Sequence, residues 1–80
     1  MSRHSHTDDL FAFGERVRTL REQRGMRQGE LAAAAGISQS QLSRIEKGQA
    51  SEPAYSLVRR LERELHCTNG ELAGLLEETV

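Results

Sequence analysis

The stretch LAAAAGISQSQLSRIEKG, residues 31–48, places four consecutive alanines and a glycine directly before a cluster of hydrogen-bonding side chains. Its larger apolar positions recur at helical spacing, which predicts two short helices separated by about three residues. Such helices must cross closely, so they need a small side chain at the crossing and a turn residue without a Cβ clash. Ala32 and Gly36 meet these two requirements. The side chains expected to point at the shared core are Leu31, Ala35, Ile37, Leu42 and Ile45.

Start and stop signals set the ends of these two helices. The first is expected over about residues 28–35, because a glycine follows. Ser38 is the expected N-cap of the second helix, and Gln41 three residues later completes a capping box. That helix should run to about Lys47, before Gly48 ends it.

Three further helices are predicted around this pair. The first helix of the chain has Thr7 or Asp8 as its expected N-cap and ends at Gly25. The last helix is expected to begin at a capping box formed by Thr68 and Glu71. The apolar positions that define the three are Leu10, Phe13, Val17 and Leu20; Tyr55, Leu57, Val58, Leu61 and Leu65; and Leu72, Leu75 and Leu76.

Size and composition favour one small helical domain. The chain has 80 residues, of which 36% are hydrophobic, 4% aromatic and 29% charged. No stretch of the sequence predicts a strand. We expect an all-α domain over residues 8–80, preceded by a flexible arm of residues 1–7. One cysteine, Cys67, cannot form an internal disulfide, and the apolar run 31–35 is far too short to span a membrane. These features favour the cytoplasm.

Charge is distributed unevenly along the chain, although the net charge is only −1. Up to Gly48 there are eight Arg and Lys against six Asp and Glu, and from Gln49 onward there are three against six. An anionic partner would therefore meet the first half of the chain.

Residues 28–47 resemble the helix-turn-helix of the phage Cro and repressor type, the Xre-like family, and the similarity extends over about residues 13–65. The matching motifs are the helix of residues 16–24, GMRQ (25–28), ELA (30–32), GIS (36–38), LSRIEKG (42–48) and Pro53. The resemblance implies a five-helix, lambda-repressor-like DNA-binding domain. Its third helix would enter the major groove of double-stranded DNA.

The resemblance assigns base reading to the exposed side of that third helix, at Gln39, Ser40, Gln41 and Arg44. Glutamine can bond N6 and N7 of adenine, arginine can bond O6 and N7 of guanine, and serine bonds either base with little preference. Arg44 is the strongest single candidate for sequence discrimination.

Phosphate contacts are implied at the start of the second helix and beside the base readers. Gln28 matches the family's phosphate-clamping glutamine at a helix N-terminus. Further phosphate candidates are Arg21, Arg27, Ser43 and Lys47. Geometry and resemblance together predict a salt bridge from Arg21 to Glu46 that fixes the first helix to the third and orients Arg21 beside a phosphate.

The chain departs from the family pattern at two places. Arg27 stands where a threonine or serine usually caps the second helix, so a capping bond worth about 1 kcal/mol is expected to be lost. The loop of residues 49–54 lacks the lysines or arginines common in relatives. One subunit is therefore expected to bind DNA weakly and in a salt-sensitive manner, with each lost phosphate contact lowering the salt slope by about one.

No feature of the sequence indicates an enzyme, a metal site or a cofactor. His4 and His6 have no third ligand nearby, and nothing orients His66 beside Cys67. The charged residues of the fourth helix are interpreted as an exposed face; they are Arg59, Arg60, Glu62, Arg63 and Glu64.

The function predicted from these observations is a sequence-specific transcriptional regulator, working as a homodimer on a palindromic operator and controlled by its own concentration. No small-molecule ligand is evident. The expected dimer surface is the stripe of Leu72, Leu75, Leu76 and Val80, for which ordinary core packing is the competing interpretation. The alternative function is a protein-interaction module, such as an antitoxin or anti-repressor, with the acidic fourth and fifth helices as its contact surface.

Overall fold

Five helices form the protein in a computed structural model that describes residues 6–67 and 70–76. They are α1 (His6–Gln23), α2 (Gln28–Ala35), α3 (Gln39–Glu46), α4 (Tyr55–Glu64) and α5 (Ala73–Leu76). No strand occurs within these two described ranges, and the predicted all-α, five-helix fold is confirmed. No helix in this part of the chain combines the length and apolar character needed to cross a membrane.

The helix ends agree closely with the sequence signals in the middle of the chain and less well at its two ends. Helix α2 has the predicted bounds, and α3 ends one residue before Lys47. Helix α1 already includes His6 and Thr7, so the predicted boundary of the arm lies too late; residues 1–5 lie outside the described ranges. Helix α5 begins at Ala73, later than predicted, and Thr68 lies outside the described residues.

A single core joins all five helices. The predicted helical spacing is confirmed in α1, where Phe13, Val17 and Leu20 are buried, and in the α2–α3 pair. The remaining buried apolar side chains are Leu31, Ala32, Ala35, Leu42, Ile45, Leu57, Val58, Leu61, Leu65, Leu72 and Ala73. Leu72 is fully buried within its own chain, whereas Leu75 and Leu76 are half-buried against the core. The assignment of Leu72 to a dimer surface is therefore wrong, and Val80 lies outside the described residues.

Helices α1 and α3 approach each other at Gly14. A Cβ atom at this position would collide with the carbonyl oxygen of Ile45 and lie 3.0 Å from the backbone of Glu46. The small side chain predicted for the crossing of α2 and α3, Ala32, is buried, whereas the close contact of α1 and α3 at Gly14 was not predicted. The absence of a side chain at Gly14 allows α3 to lie directly against α1.

The turn between α2 and α3 depends on Gly36, whose φ of +77° is in the left-handed region. The N–H groups of Gly36 and Ile37 donate to the carbonyls of Ala33 and Ala32 and so satisfy the end of α2. Helix α3 then begins with the predicted cap, since the backbone N–H of Gln41 donates to Ser38 Oγ at 3.0 Å.

The fourth helix does not present the uniformly exposed charged face that was predicted. Glu62 is only 3% exposed, and its carboxylate accepts 2.9 Å hydrogen bonds from the backbone N–H groups of Leu72 and Ala73. Glu62 follows Val58 by four residues and therefore lies on the buried side of α4. Arg60 also forms a hydrogen bond within the protein: its Nη1 donates to the carbonyl of Ala35, at the end of α2, over 3.0 Å. Two of the five charged residues thus hold helix ends in place.

Candidate nucleic-acid interface

Helix α3 packs against both α1 and α2, which leaves one side of it exposed. Its inner side is formed by Leu42, Ile45 and Glu46, all buried. The predicted base readers Gln39, Ser40, Gln41 and Arg44 are all exposed and lie together on the outer side. The structure thus brings together the four side chains that the sequence assigned to base reading; their contacts with bases remain a prediction.

The predicted salt bridge between α1 and α3 is confirmed. Arg21 Nε lies 2.7 Å from Glu46 Oε2, and Arg21 Nη2 lies 3.1 Å from Glu46 Oε1, so the guanidinium holds both carboxylate oxygens. The two side chains are 12% and 3% exposed. The hydrogen bond to Glu46 raises the pKa of Arg21, an effect that burial opposes and the charge of Glu46 reinforces. The pair is therefore a mostly buried connection between the two helices, made by two hydrogen bonds.

The guanidinium of Arg21 forms most of its hydrogen bonds within the protein. Besides its two bonds to Glu46, its Nη1 donates to the carbonyl of Met26 at 2.9 Å, just after α1. This leaves Arg21 less free to reach a phosphate than the exposed Arg27 and Lys47. A phosphate contact by Arg21 remains a prediction.

The Glu46 carboxylate also connects to the outer side of α3 through Gln28. Gln28 Nε2 donates to Glu46 Oε1 at 3.1 Å, and Gln28 Oε1 accepts from Gln39 Nε2 at 3.3 Å. Gly29 leaves space for this arrangement, because a Cβ atom there would lie 3.3 Å from Gln39 Oε1. A continuous polar chain therefore runs from a buried ion pair to a candidate base reader. All four of its polar residues were predicted to belong to the site, but of their contacts only the ion pair was predicted.

The start of α2 is stabilised by a hydrogen bond that was not predicted. Arg27 occupies the N-cap position, and its guanidinium offers no acceptor for the helix N–H groups. Glu30 Oε1 instead accepts the backbone N–H of Arg27 at 2.7 Å, which is the reciprocal bond of a capping box. The signal was present in the sequence as a glutamate three residues after the cap.

The predicted phosphate candidates border the base readers on two sides. Arg27 is exposed and Gln28 half-buried at the start of α2, while Lys47 is exposed and Ser43 half-buried toward the end of α3. The N-terminal turn of α2 adds backbone N–H groups and a favourable field for an anion. Their phosphate contacts remain predictions.

A groove of about 280 Å³ lies between α3 and the loop that follows it. Gln41 and Arg44 line it on one side, and Glu52 and Pro53 line it on the other. The loop therefore brings a carboxylate, and no cation, beside the candidate base readers. A small contribution of this loop to phosphate binding remains a prediction.

No metal centre is indicated within residues 6–67 and 70–76, where no group of three or more histidine, cysteine, aspartate or glutamate side chains is suitably placed. Cys67 is half-buried, and desolvation together with the charge of Glu71 raises the pKa of its thiol. A raised pKa disfavours the reactive thiolate. His4 lies outside the described residues.

Comparisons with known proteins also identify a helix-turn-helix domain in this chain. The family model described as a helix-turn-helix domain matches residues 12–75. The HTH-type transcriptional repressor RghR of Bacillus subtilis (strain 168) is 36% identical over 70 residues, which cover 84% of this chain and 52% of RghR. The chain thus spans about half the length of this curated relative.

Two solved structures are similar to the protein over most of its length. The restriction-modification controller protein C.AhdI from Aeromonas hydrophila is 33% identical with a TM-score of 0.77, and the match covers 86% of this chain and 99% of C.AhdI. SinR, described as the master regulator for biofilm formation and solved in complex with DNA, is 28% identical with a TM-score of 0.68, and the match covers 81% of this chain and 98% of the SinR chain.

Proposed function

The chain belongs to the helix-turn-helix domain family, and from this premise we propose that it is a transcriptional regulator that binds double-stranded DNA in a sequence-specific manner. The single observation that carries the proposal is the exposed side of α3. There Gln39, Ser40, Gln41 and Arg44 lie together on a helix whose inner side is anchored to α1 and α2. The related RghR is a transcriptional repressor, and SinR is a regulator solved with DNA, which supports the same role here.

In the proposed complex, α3 enters the major groove with its N-terminal half toward the base edges. Arg44 reads guanine through O6 and N7, and Gln39 reads adenine through N6 and N7. Gln41 and Ser40 add contacts at neighbouring positions.

Phosphate binding holds α3 in register on the duplex. At the N-terminus of α2, Arg27 and Gln28 bind phosphates of one DNA strand. Lys47 and Ser43 bind phosphates on the other side of the major groove. Arg21 contributes by anchoring α3, in addition to any phosphate contact of its own. Because few cations are involved, one subunit binds weakly, and each phosphate contact that is missing makes its affinity less dependent on salt.

We propose further that two copies bind a palindromic operator, with recognition helices about 34 Å apart. Since Leu72 is buried, the half-buried Leu75 and Leu76 remain as the apolar candidates on α5 for the dimer contact. Doubling the contacts offsets the weakness of each subunit. The protein acts in the cytoplasm, where bacterial regulators of this type meet DNA, and needs no cofactor or catalytic step.

The test is affinity selection from a pool of random-sequence DNA duplexes with the full chain. We expect convergence on one motif, made of two inverted half-sites, to which the protein binds with saturable and salt-dependent affinity. A pool that remains random after selection would contradict the proposal. In that case the protein-partner function, in which an antitoxin or anti-repressor uses the same fold, becomes the better explanation.

A further inference from the structure

Glu62 is a buried carboxylate on the inner side of α4, outside the proposed base and phosphate contacts. It is only 3% exposed and lies in line with the buried apolar residues Val58 and Leu65. Resting on the dimer of the proposed function, we propose that Glu62 is a positioning residue for self-association. Its carboxylate sets the direction of α5, and thereby the position in which Leu75 and Leu76 meet a second copy of the chain.

The carboxylate of Glu62 is held through both of its oxygens. A buried carboxylate without hydrogen-bond donors would destabilise the fold strongly, so its presence on an otherwise apolar side depends on the groups that it binds. Oε2 accepts the backbone N–H groups of Leu72 and Ala73, each at 2.9 Å. Oε1 accepts from Arg59 Nη1 at 3.2 Å. The side chain therefore connects α4 to the start of α5 in one fixed orientation.

The start of α5 depends on this carboxylate more than the start of a longer helix would. Helix α5 is a single turn, Ala73–Leu76, and so short a helix has almost no stability of its own. The first N–H groups of a helix have no carbonyl within it to which they can donate. Here two successive N–H groups converge on one oxygen, which fixes the direction of the turn as well as its position. Without this acceptor, the start of α5 must move away from α4 for its N–H groups to reach water.

Two other contacts hold the start of α5, but neither of them fixes its direction. The side chain of Leu72 is fully buried, and such an apolar contact has no directional preference. Arg16 on α1 forms an ion pair with Glu71 at 2.7 Å, with the two side chains 48% and 28% exposed. An ion pair this exposed contributes little free energy. Glu62 therefore supplies the directional contact.

The direction of α5 matters for a dimer because the apolar candidates follow within the same turn. Leu75 and Leu76 are half-buried, so each leaves part of its side chain for a partner. A two-fold interface uses the same surface on both subunits, so a displaced α5 affects it twice. If α5 keeps its position in only about a third of the subunits, the dimer dissociation constant rises about tenfold, because both subunits must be competent.

The substitution Glu62→Met tests the proposal because methionine has a similar size and packs on an apolar helix face, but offers no acceptor to the two N–H groups. The matched control is Glu64→Met, which removes a half-exposed carboxylate from the same helix. Hydrogen exchange at the amides of Leu72 and Ala73 reports on the start of α5. Sedimentation equilibrium gives the dimer dissociation constant. DNA affinity is measured on the selected palindrome and on a duplex that carries one half-site.

We expect Glu62→Met to speed exchange at the two amides and to raise the dimer dissociation constant by at least about tenfold. Affinity for the half-site should stay within about twofold of the wild-type value, since α3 and its anchors are unchanged. Binding to the palindrome should weaken at low protein concentration and recover at high concentration, because mass action restores the dimer. Glu64→Met should match the wild type in all of these measurements.

Three results would overturn the proposal while leaving the proposed function intact: an unchanged dimer dissociation constant in Glu62→Met, an equal loss of affinity for the half-site and the palindrome, or an equal effect of Glu64→Met. A wild-type protein that binds its half-site but stays monomeric would reject the proposed dimer and this role of Glu62 with it. Failure of the wild-type protein to select any motif would reject the proposed DNA-binding function.

Should Glu62→Met fail to fold in a thermal melt, Glu62→Gln decides. Glutamine keeps an oxygen for the two N–H groups but loses the charge, and neutral hydrogen bonds are roughly half as strong. Its amide nitrogen would then face the guanidinium of Arg59, which offers only donors. We expect a rise of about threefold in the dimer dissociation constant with unchanged half-site affinity. A dimer as tight as that of the wild type would overturn the proposal.

Discussion

Arg21 and Glu46 form a two-bond ion pair across the contact between α1 and α3, with N–O distances of 2.7 and 3.1 Å. The same Glu46 oxygen that receives Arg21 Nη2 also receives Gln28 Nε2. One buried carboxylate therefore joins the first three helices. Because α3 carries the candidate base readers, this carboxylate links the stability of the fold to the position of the recognition surface.

Removing Glu46 should destabilise the protein strongly. Glu46→Ala leaves the mostly buried Arg21 without its partner, and breaking a buried pair in this way costs about 3 kcal/mol of unfolding free energy. Urea denaturation followed by circular dichroism measures the change. The matched control is Glu15→Ala, which removes an exposed pair with Arg18 and should leave the denaturation midpoint nearly unchanged. Equal effects of the two substitutions would contradict the structural role of the buried pair.

A methyl group at Gly14 should separate α1 from α3. Gly14→Ala places a Cβ atom against the carbonyl of Ile45, and the required backbone shift is expected to lower the unfolding free energy by at least about 2 kcal/mol. Gly74→Ala in α5 is the control, because its Cβ meets nothing within 4 Å. Thermal melts of both variants make the comparison. A Gly14→Ala protein as stable as the wild type would show that the α1–α3 contact is looser than described.

Gly29→Ala should increase the stability of the protein but decrease its affinity for DNA. Alanine favours helix over glycine, so α2 should gain up to about 1 kcal/mol of stability. The new Cβ would lie 3.3 Å from Gln39 Oε1, and the Gln39 amide must shift to relieve this contact. We therefore expect a higher melting temperature together with weaker binding to the selected DNA site. Unchanged binding would mean that the position of the Gln39 amide does not matter for recognition.

Cys67 should react more slowly in the folded protein than in the unfolded chain. Burial raises the pKa of its thiol, so at any pH near that value less thiolate is present in the folded state. Stability contributed by this group is complete below the unfolded pKa and decreases as pH rises through the folded one. Alkylation rates with iodoacetamide, measured across pH with and without urea, should show a higher midpoint for the folded protein. Coincident curves would contradict the assigned shift.

The central part of the fold could be predicted from sequence because its signals are local. The bounds of α2 follow from a glycine at its end, and the start of α3 follows from the Ser38 cap. The pairing of Arg21 with Glu46 was also predicted, since the family resemblance supplied the contact that spacing alone could not.

The features that were missed depend on contacts between distant parts of the chain. Nothing near Gly14 in the sequence indicates that the backbone of Ile45 packs on it. Glu62 lies four residues after Val58 on the buried side of α4, but the sequence does not show that two backbone N–H groups at the start of α5 would bind its carboxylate there. The link from Gln28 to Gln39 requires the crossing of α2 and α3, which fixes the two side chains within reach of each other.

The most direct test of α3 as the base-reading helix compares Arg44→Ala with Arg63→Ala in binding to the selected DNA site and to a scrambled duplex, over a series of salt concentrations. Both residues are exposed arginines, so each substitution removes one charge, but Arg44 lies on α3 and Arg63 on α4. We expect Arg44→Ala to lose the preference for the selected site and to keep weak, salt-dependent binding to both duplexes, while Arg63→Ala keeps the preference. Retained preference in Arg44→Ala, or equal losses in the two variants, would contradict the assignment of α3 as the base-reading helix.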